Sequence, residues 1–234
     1  MWSGVTRRTT RVTLVTLPFD LVIFDCDGVL VDSEPISNRE LAAYLTELGH
    51  PTTLEDSIRD YMGGAMHRVH DTVLVRSGQR LPDDFDDRFH ERVFECFREE
   101  LQPVPGVEGI LDWLDTFGTR VCVASSGSHE RIRMTLGKTG LLPRFPDQAI
   151  FSADDVGRGK PAPDLFLHAA RTMGAEPERC AVIEDSPLGV QAALAAGMRA
   201  FGFAAMTPAE KLAGAAAIFR AMPELLPLLR VTNT

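Results

Sequence analysis

The stretch Asp20-Leu21-Val22-Ile23-Phe24-Asp25-Cys26-Asp27-Gly28 decides the fold of this 234-residue chain. Its first part, residues 20–24, is dominated by apolar residues and predicts a strand covered on both faces, as in a parallel sheet. The strand ends on two carboxylates one residue apart, and side chains at i and i+2 of an extended segment point the same way. Asp25 and Asp27 are therefore predicted to face one site while Cys26 turns inward.

Similar apolar runs recur further along the chain and alternate with helix-period stretches. The strand-like runs are Arg120 to Ala124, Cys180 to Ile183, Ala200 to Phe203 and, more weakly, Ala149 to Ser152. The helical stretches are Val107 to Phe117, His129 to Lys138, Pro161 to Met173 and Pro187 to Ala196. This alternation predicts an α/β fold with a Rossmann-like parallel sheet, in which ligands bind beyond the carboxyl ends of the strands.

The segment 34–103 interrupts this alternation because it shows only helical periodicity. Apolar residues recur at helical spacing at Leu41, Leu45 and Leu48, and again at Phe85, Phe89, Val93 and Phe97. We predict an inserted all-helical cap at 34–103, hinged at Ser33-Glu34-Pro35 and at Gln102-Pro103-Val104-Pro105-Gly106, two connections rich in residues that end regular structure. The predicted α/β core comprises residues 18–33 and 104–225, and residues 1–17 are predicted to be a poorly ordered extension.

Composition limits the partners. The net charge of −9 argues against binding to nucleic acid or to an anionic membrane surface, and no apolar run has the length of a membrane span. The four cysteines show neither disulfide-framework nor zinc spacing, which fits a reducing cytoplasm. A small solute is the expected partner. Lysine occurs only at positions 138, 160 and 211, so a lysine-dependent step has few candidates.

Four predicted strand ends carry polar residues suited to phosphoryl transfer. They are Asp25 with Asp27, then Ser125-Ser126-Gly127-Ser128, then Gly159-Lys160-Pro161, and Glu184-Asp185-Ser186. Taken singly, each has an ordinary structural interpretation as a turn, a helix cap or a surface charge. Together they bring acids that need a cation, hydroxyl and backbone donors that bind an anion, and one ammonium to the same edge of the sheet.

These residues resemble the four ordered motifs of the haloacid dehalogenase (HAD) superfamily. The resemblance rests on Asp25 to Ser33, Ser125, Lys160 to Asp164 and Glu184 to Ser186, and it extends from Phe19 to about Phe203. The insert is similar to the helical cap of the subgroup that contains phosphoglycolate phosphatase, sugar phosphatases and beta-phosphoglucomutase.

The resemblance implies a magnesium-dependent phosphatase. Asp25 would attack phosphorus to form an aspartyl phosphate, and Asp27 would protonate the leaving oxygen and later activate water. Gly28, Ser125, Ser126 and Lys160 would bind the phosphate. Mg²⁺ would be bound by Asp25, by the backbone carbonyl of Asp27 and by Asp185, with Glu184 as a direct or water-mediated ligand.

The substrate implied is a small phosphorylated metabolite, a sugar phosphate or a sugar-acid phosphate, with 6-phosphogluconate as a candidate. Beta-phosphoglucomutase chemistry is the main alternative, and a non-catalytic binding protein with the same fold is a remote one. The segment 34–103 contains no lysine, and the arginine after Gly63-Gly64-Ala65-Met66 is displaced relative to the mutase pattern, which favours hydrolysis. Arg39, His67 and Arg68 are the cap residues proposed to select the substrate.

Overall fold

The structure is a computed structural model that describes residues 17–230. The predicted extension 1–17 therefore lies outside the described residues, apart from Leu17. Six strands form one sheet in the order β3-β2-β1-β4-β5-β6, with every neighbouring pair parallel. Their bounds are β1 Leu21–Phe24, β2 Arg120–Ser125, β3 Ile150–Ser152, β4 Cys180–Glu184, β5 Arg199–Phe203 and β6 Ala217–Phe219. The prediction of a parallel α/β core is confirmed.

Strand β1 lies at the centre of the sheet between β2 and β4. Its four residues are buried, since helices cover both faces of the sheet, and this burial explains the unbroken apolar run. The register pairs Phe24 with Val123 of β2 and with Ile183 of β4, so these strands end at the same level. The residues that follow β1, β2 and β4 therefore meet at one edge.

Helices of the core follow the strands. They are α5 Val107–Thr116, α6 His129–Lys138, α7 Asp164–Met173, α8 Pro187–Ala195 and α9 Leu225–Arg230. The predicted start of α7 at Pro161 is wrong. The ring of Pro163 disfavours helical geometry at the residue before it, so the helix begins only after Pro163 and Lys160 lies in the preceding turn. Strand β6 was not predicted, because it has three residues and Ile218 is exposed.

Four helices occupy the segment predicted to be the cap, and we call them the cap below. They are α1 Glu34–Glu47, α2 Leu54–Asp60, α3 His67–Ser77 and α4 Phe85–Glu100. Helix α4 buries the four apolar residues whose spacing predicted it. Helix α2 begins at a capping box in which Thr53 and Asp56 exchange side-chain and backbone hydrogen bonds.

The two connections between core and cap run side by side. Asp32 N donates to Gln102 O at 2.9 Å, and Val104 N donates to Leu30 O at 3.0 Å. Further contacts link the cap to the core at its outer edges, where Lys138 Nζ donates to Glu99 O at 2.9 Å and Lys211 Nζ donates to Arg59 O at 3.2 Å. The cap is thus held over the sheet by paired linkers and by two lysine side chains.

None of the helices within residues 17–230 is long and apolar enough to cross a membrane. Within the same range the four cysteines are free thiols, and Cys26, Cys122 and Cys180 are buried. The thiol of Cys26 lies 3.6 Å from Thr135 Oγ1, on the core side of the loop, as the alternation of side chains predicts.

Candidate active site

The carboxyl ends of β1, β2 and β4 border one cavity of about 410 Å³. The core side of its wall contains nearly all of the predicted catalytic, phosphate and metal residues: Asp25, Asp27, Ser125, Ser126, Lys160, Glu184 and Asp185. The cap contributes the turn Gly63, Gly64 and Ala65. The sequence-predicted core residues are therefore brought together, as expected from parallel strands that end at one level.

Lys160 is the cationic centre of the core side. Its ammonium donates to Asp25 Oδ1 and Glu184 Oε1, both at 2.6 Å, and to Ala124 O at 3.1 Å, and its side chain is 4% exposed. Burial alone would lower the pKa of Lys160, but Asp25 and Glu184 raise it above its usual value. The ammonium is thus a fixed positive charge at the end of β1.

Asp25 lies at the centre of this edge with 7% of its surface exposed. Burial raises the pKa of Asp25 to about 7, although the Lys160 ammonium opposes that shift. Its Oδ1 atom is engaged by Lys160, and its backbone N–H still donates to Ile183 O at 3.0 Å, which fixes the loop to β4. The second carboxylate oxygen of Asp25 is the atom that remains to meet a substrate or a cation.

Both oxygens of Glu184 are hydrogen-bonded inside the protein. Oε1 accepts from Lys160, while Oε2 accepts from the backbone N–H and the hydroxyl of Ser186 at 2.8 and 2.9 Å. The first turn of α8 packs directly on this carboxylate, because a methyl group at Gly189 would lie 1.8 Å from Oε1. Glu184 is fully buried, and it orients Lys160 in this structure.

The serine loop at the end of β2 is held by hydrogen bonds between serine hydroxyls and the backbone. Ser125 Oγ accepts from Gly127 N at 3.1 Å, and Ser152 Oγ donates to Gly127 O at 2.7 Å. Ser128 caps α6 by accepting from Arg131 N at 3.3 Å. Ser125 and Ser126 thereby lie at the mouth of a helix N-terminus, where the helix dipole favours a negative charge.

Gly28 brings the loop after β1 close to Asp185. It has a φ of +75°, and a methyl group there would lie 2.2 Å from Asp185 Oδ2. Only glycine fits such a left-handed, crowded position. Its backbone N–H donates to Val31 O at 2.9 Å and to Ser33 Oγ at 3.1 Å, so this N–H is occupied within the loop.

Five carboxylates and Lys160 line the cavity, and the acids are Asp25, Asp27, Glu34, Glu184 and Asp185. A second cation, Arg131, pairs with Asp27 from outside the cavity wall. Burial and then the neighbouring acids, Glu34 first, raise the pKa of Asp185 well above its usual value. Burial followed by Asp27 raises the pKa of Glu34 to about 7. This surplus of negative charge is a setting that a divalent cation would relieve.

The donor atoms fit Mg²⁺, which binds through one or two carboxylates and keeps several waters. Asp185 is 8% exposed, and its carboxylate accepts no hydrogen bond within residues 17–230. The cavity wall contains two candidate carboxylates, Asp25 and Asp185. Across residues 17–230 no group of three or more His, Cys, Asp or Glu side chains forms a metal site. A site with two carboxylates and a backbone carbonyl needs no such group.

Two residues were not predicted from the sequence: one pairs with a residue of the cavity wall, and the other lies on that wall. Arg131, on the first turn of α6, donates from Nε and Nη2 to the two oxygens of Asp27, each at 3.1 Å. Glu34, the first residue of α1, accepts from Asn38 Nδ2 at 3.2 Å and borders the cavity. The available signals were local: Arg131 follows the serine loop by a few residues, and Glu34 is directly adjacent to the first motif.

The structure distributes the predicted cap residues differently. Arg39 is ion-paired with Glu40 and Glu100, and it is absent from the cavity wall. His67 and Arg68 are exposed, and the side chain of Arg68 lies beside Gly64 of the cavity turn.

Gly63 brings the cap turn close to the core at the cavity. It has a φ of +70°, and a methyl group there would lie 2.9 Å from Pro187 Cδ. A side chain at this position would push the cap turn away from the first turn of α8.

Comparisons with known proteins agree with this architecture. Residues 19–197 match the family model of haloacid dehalogenase-like hydrolases. The chain is 33% identical over 187 residues to 6-phosphogluconate phosphatase of Escherichia coli, covering 80% of this chain and 83% of that protein.

Solved structures agree as well. A haloacid dehalogenase-like protein from Agrobacterium tumefaciens superposes with a TM-score of 0.83 at 36% identity, covering 90% of this chain and 97% of that chain. A HAD family hydrolase from Deinococcus radiodurans, solved with bound phosphate and sodium, has a TM-score of 0.77 at 32% identity, covering 93% and 100%.

The sheet, the clustered strand ends and these similarities define a haloacid dehalogenase-like hydrolase, and this chain belongs to that family. Within the family it is an enzyme of the phosphatase type, as the sequence motifs predicted.

Proposed function

We propose that the protein is a Mg²⁺-dependent phosphatase that hydrolyses a small phosphorylated metabolite through an aspartyl phosphate on Asp25. The observation that carries this proposal is the position of Lys160, which contacts Asp25 and Glu184 at 2.6 Å in the same cavity as Asp185 and the serine loop. A nucleophile, a fixed cation and an acidic cation site then surround one phosphoryl group.

In the first step an oxygen of Asp25 attacks phosphorus, and the bond from phosphorus to the leaving oxygen breaks. Asp27 gives its proton to that leaving oxygen. In the second step Asp27 takes a proton from water, the water oxygen attacks phosphorus, and the bond from phosphorus to Asp25 breaks, releasing phosphate. The proton balance closes because Asp27 recovers from water the proton that it gave.

The remaining residues hold the phosphoryl oxygens. Ser125, Ser126 and Lys160 donate to them, and the N-terminus of α6 adds its dipole. Asp25, the Asp27 carbonyl and Asp185 would hold the metal, and Glu184 would position Lys160. When bound, Mg²⁺ would offset the negative charge of the phosphoryl oxygens and of the carboxylates around them.

We propose a sugar phosphate or sugar-acid phosphate as the substrate class, with 6-phosphogluconate as a specific candidate. The support is the similarity to the E. coli 6-phosphogluconate phosphatase along most of both chains. The cavity beneath the small Gly63-Gly64-Ala65 turn has a volume suited to such a metabolite.

The experiment is a panel of phosphate esters assayed for phosphate release with Mg²⁺ and after EDTA treatment. It should contain sugar phosphates, 6-phosphogluconate, phosphoglycolate and a nitrophenyl phosphate. We expect Mg²⁺-dependent release with the highest kcat/KM on a sugar phosphate or sugar-acid phosphate. Undiminished release after EDTA treatment would overturn the metal assignment, and no release from any ester would overturn the phosphatase proposal.

Mutase chemistry is tested in the same panel with beta-glucose 1-phosphate and its bisphosphate activator. A mutase would convert that ester to glucose 6-phosphate with little free phosphate. We expect hydrolysis instead, because the segment 34–103 has no lysine and Arg39 is engaged by Glu40 and Glu100 on the surface of the cap.

A further inference from the structure

Arg131 connects the proton-transfer carboxylate to the cap. Its Nε and Nη2 atoms donate to Asp27 Oδ2 and Oδ1, each at 3.1 Å, in the parallel two-bond geometry that only a guanidinium provides. The side chains of Arg131 and Asp27 are 18% and 23% exposed, so solvent weakens this pair less than it weakens a surface pair. The plane and direction of the Asp27 carboxylate are therefore set by Arg131.

The guanidinium of Arg131 also lies against aromatic rings of the cap. The Arg131 Cζ atom is 5.1 Å from the ring centre of Phe97 and 5.6 Å from that of Phe94, and both residues are on α4. These distances are within the range of a cation–π contact. One side chain from the core thus touches the catalytic carboxylate on one side and the cap on the other.

The contact between Arg131 and Asp27 affects the proton transfer proposed for Asp27. A carboxylate that accepts two hydrogen bonds from Arg131 presents a defined edge to the cavity, and proton transfer requires heavy atoms within about 2.6 to 3.2 Å of each other. A small rotation of the carboxylate would move its proton out of reach of the leaving oxygen. Lysine could supply the charge at this position but not the two-bond fork.

We propose that Arg131 is a positioning residue for proton transfer by Asp27, and that α4 of the cap holds Arg131 in place through Phe94 and Phe97. This inference rests on the proposed phosphatase function. It makes the cap a part of the acid–base machinery in addition to a cover over the cavity.

The test uses the dependence of the rate on the leaving group. An alkyl phosphate needs a proton on its leaving oxygen, whereas a nitrophenolate leaves without one. Replacing Arg131→Met should lower kcat/KM for a sugar phosphate by about 10-fold to 100-fold more than for a nitrophenyl phosphate, within the range that general acids contribute. Arg131→Lys should recover only part of the loss on the sugar phosphate, because it lacks the fork.

The matched control is Arg133→Met, which removes an arginine from the same helix. Arg133 pairs with Asp147 at 3.2 Å on the surface, away from the cavity. It should leave both rates within about 2-fold of the wild type, as expected for an exposed ion pair. Melting temperatures of all variants, measured with Mg²⁺, separate a loss of folded protein from a loss of proton transfer.

The cap contribution is tested by Phe94→Leu, with Phe85→Leu as the control that removes a ring from α4 at a position packed on Tyr44. Phe94→Leu should show the same preference for nitrophenyl phosphate, reduced to about 3-fold to 10-fold, and Phe85→Leu should not. Equal losses on both esters in Arg131→Met would overturn the inference while leaving the phosphatase intact. A wild-type enzyme inactive on every ester would instead overturn the proposed function.

Discussion

The two walls of the cavity are built in opposite ways. On the core wall, Lys160, Glu184 and Ser186 form a closed hydrogen-bond network, and the buried residues at the strand ends have little freedom to move. On the cap wall, the turn Gly63 to Ala65 presents backbone and small side chains, while Arg59, like many cap arginines, pairs with acids on the surface.

This difference separates two tasks. A wall held by hydrogen bonds to Lys160 and Glu184 would keep Asp25, the proposed nucleophile, in place, as transition-state stabilisation by fixed charges requires. A wall of small residues on a hinged segment can move and can be changed without disturbing that network. We therefore expect selectivity to depend on the shape of the cap turn, and the chemistry to depend on the strand ends, to which α4 contributes only through Arg131.

The largest effect is expected at the core wall from Asp25→Asn. The amide keeps the shape and can still accept from Lys160, but it cannot act as the nucleophile. Turnover should fall by at least about 10⁴-fold with the fold retained. Phosphate release and circular dichroism check this, and rates like those of the wild type would refute the nucleophile assignment.

The next largest effect is expected from Gly189→Ala, which adds a methyl group next to the Glu184 carboxylate that binds Lys160. Gly189→Ala places a carbon 1.8 Å from Glu184 Oε1, so Glu184 must shift and Lys160 loses its orientation. We expect kcat to fall by about 100-fold, comparable to the loss of a positioned charge. Gly109→Ala, on α5 with no atom within 4 Å, is the matched control. It should retain activity and gain about 0.5–1 kcal/mol in stability, and similar activity losses in both variants would contradict this explanation.

A smaller effect is expected at the cap wall from Gly63→Ala. The methyl group meets Pro187 and opposes the approach of the cap turn to α8. The result should be a rise in KM of about 10-fold with a smaller change in kcat, since closure would be weakened while the core wall stays intact. Gly78→Ala has nearly the same φ, 71° against 70°, and no neighbour within 4 Å. Gly78→Ala therefore measures the effect of backbone strain without the contact to Pro187. An equal rise in KM in Gly78→Ala would argue against a role for that contact in cap closure.

The smallest effect is a pH-dependent shift in stability. Asp25 and Glu34 have pKa values of about 7 in the folded protein against 3.8 and 4.5 ordinarily, so the folded state holds more protons between about pH 4 and 7. The metal-free protein should therefore lose stability as pH rises through this window. The surface carboxylate of Asp56, with a pKa of about 2, titrates below it.

Mg²⁺ should reverse this loss, because it binds the ionised carboxylates. We expect an increase in melting temperature of about 5 °C at pH 7.5 and a smaller increase at pH 5.5. Scanning calorimetry with Mg²⁺ and with EDTA measures both shifts. A larger Mg²⁺ effect at the lower pH would contradict the assignment of Asp25 and Asp185 to the cation site.

The two walls also differ in how far the sequence predicts them. The core wall follows from local rules, because apolar runs mark strands and parallel strands end at one edge, which places Asp25, Ser125 and Glu184 together. The helical periodicity of the insert likewise predicts that it is helical and marks α1 and α4, whereas α2 and α3 were not predicted individually. The start of α7 was misplaced because Pro161 fits a first-turn position equally well in sequence.

Side-chain partners across elements could not be predicted in this way. Arg131 and Asp27 are 104 positions apart, and no periodic pattern marks one as the partner of the other. Arg39 illustrates the converse, since its helical position fits either a substrate contact or the ion pair with Glu100 that the structure contains. Such choices depend on packing between helices, which a single sequence does not specify.

Because lysine occurs only at positions 138, 160 and 211, chemical labelling of each lysine can be assigned to one place in the fold. Lys160 is sealed between two carboxylates, whereas Lys138 and Lys211 donate to backbone carbonyls at the ends of α4 and α2. An amine-selective label followed by mass spectrometry would therefore measure the accessibility of each of these two lysines separately. Labelling that slows at both lysines when phosphate and Mg²⁺ are added would show both edges closing together, with no probe introduced by mutation.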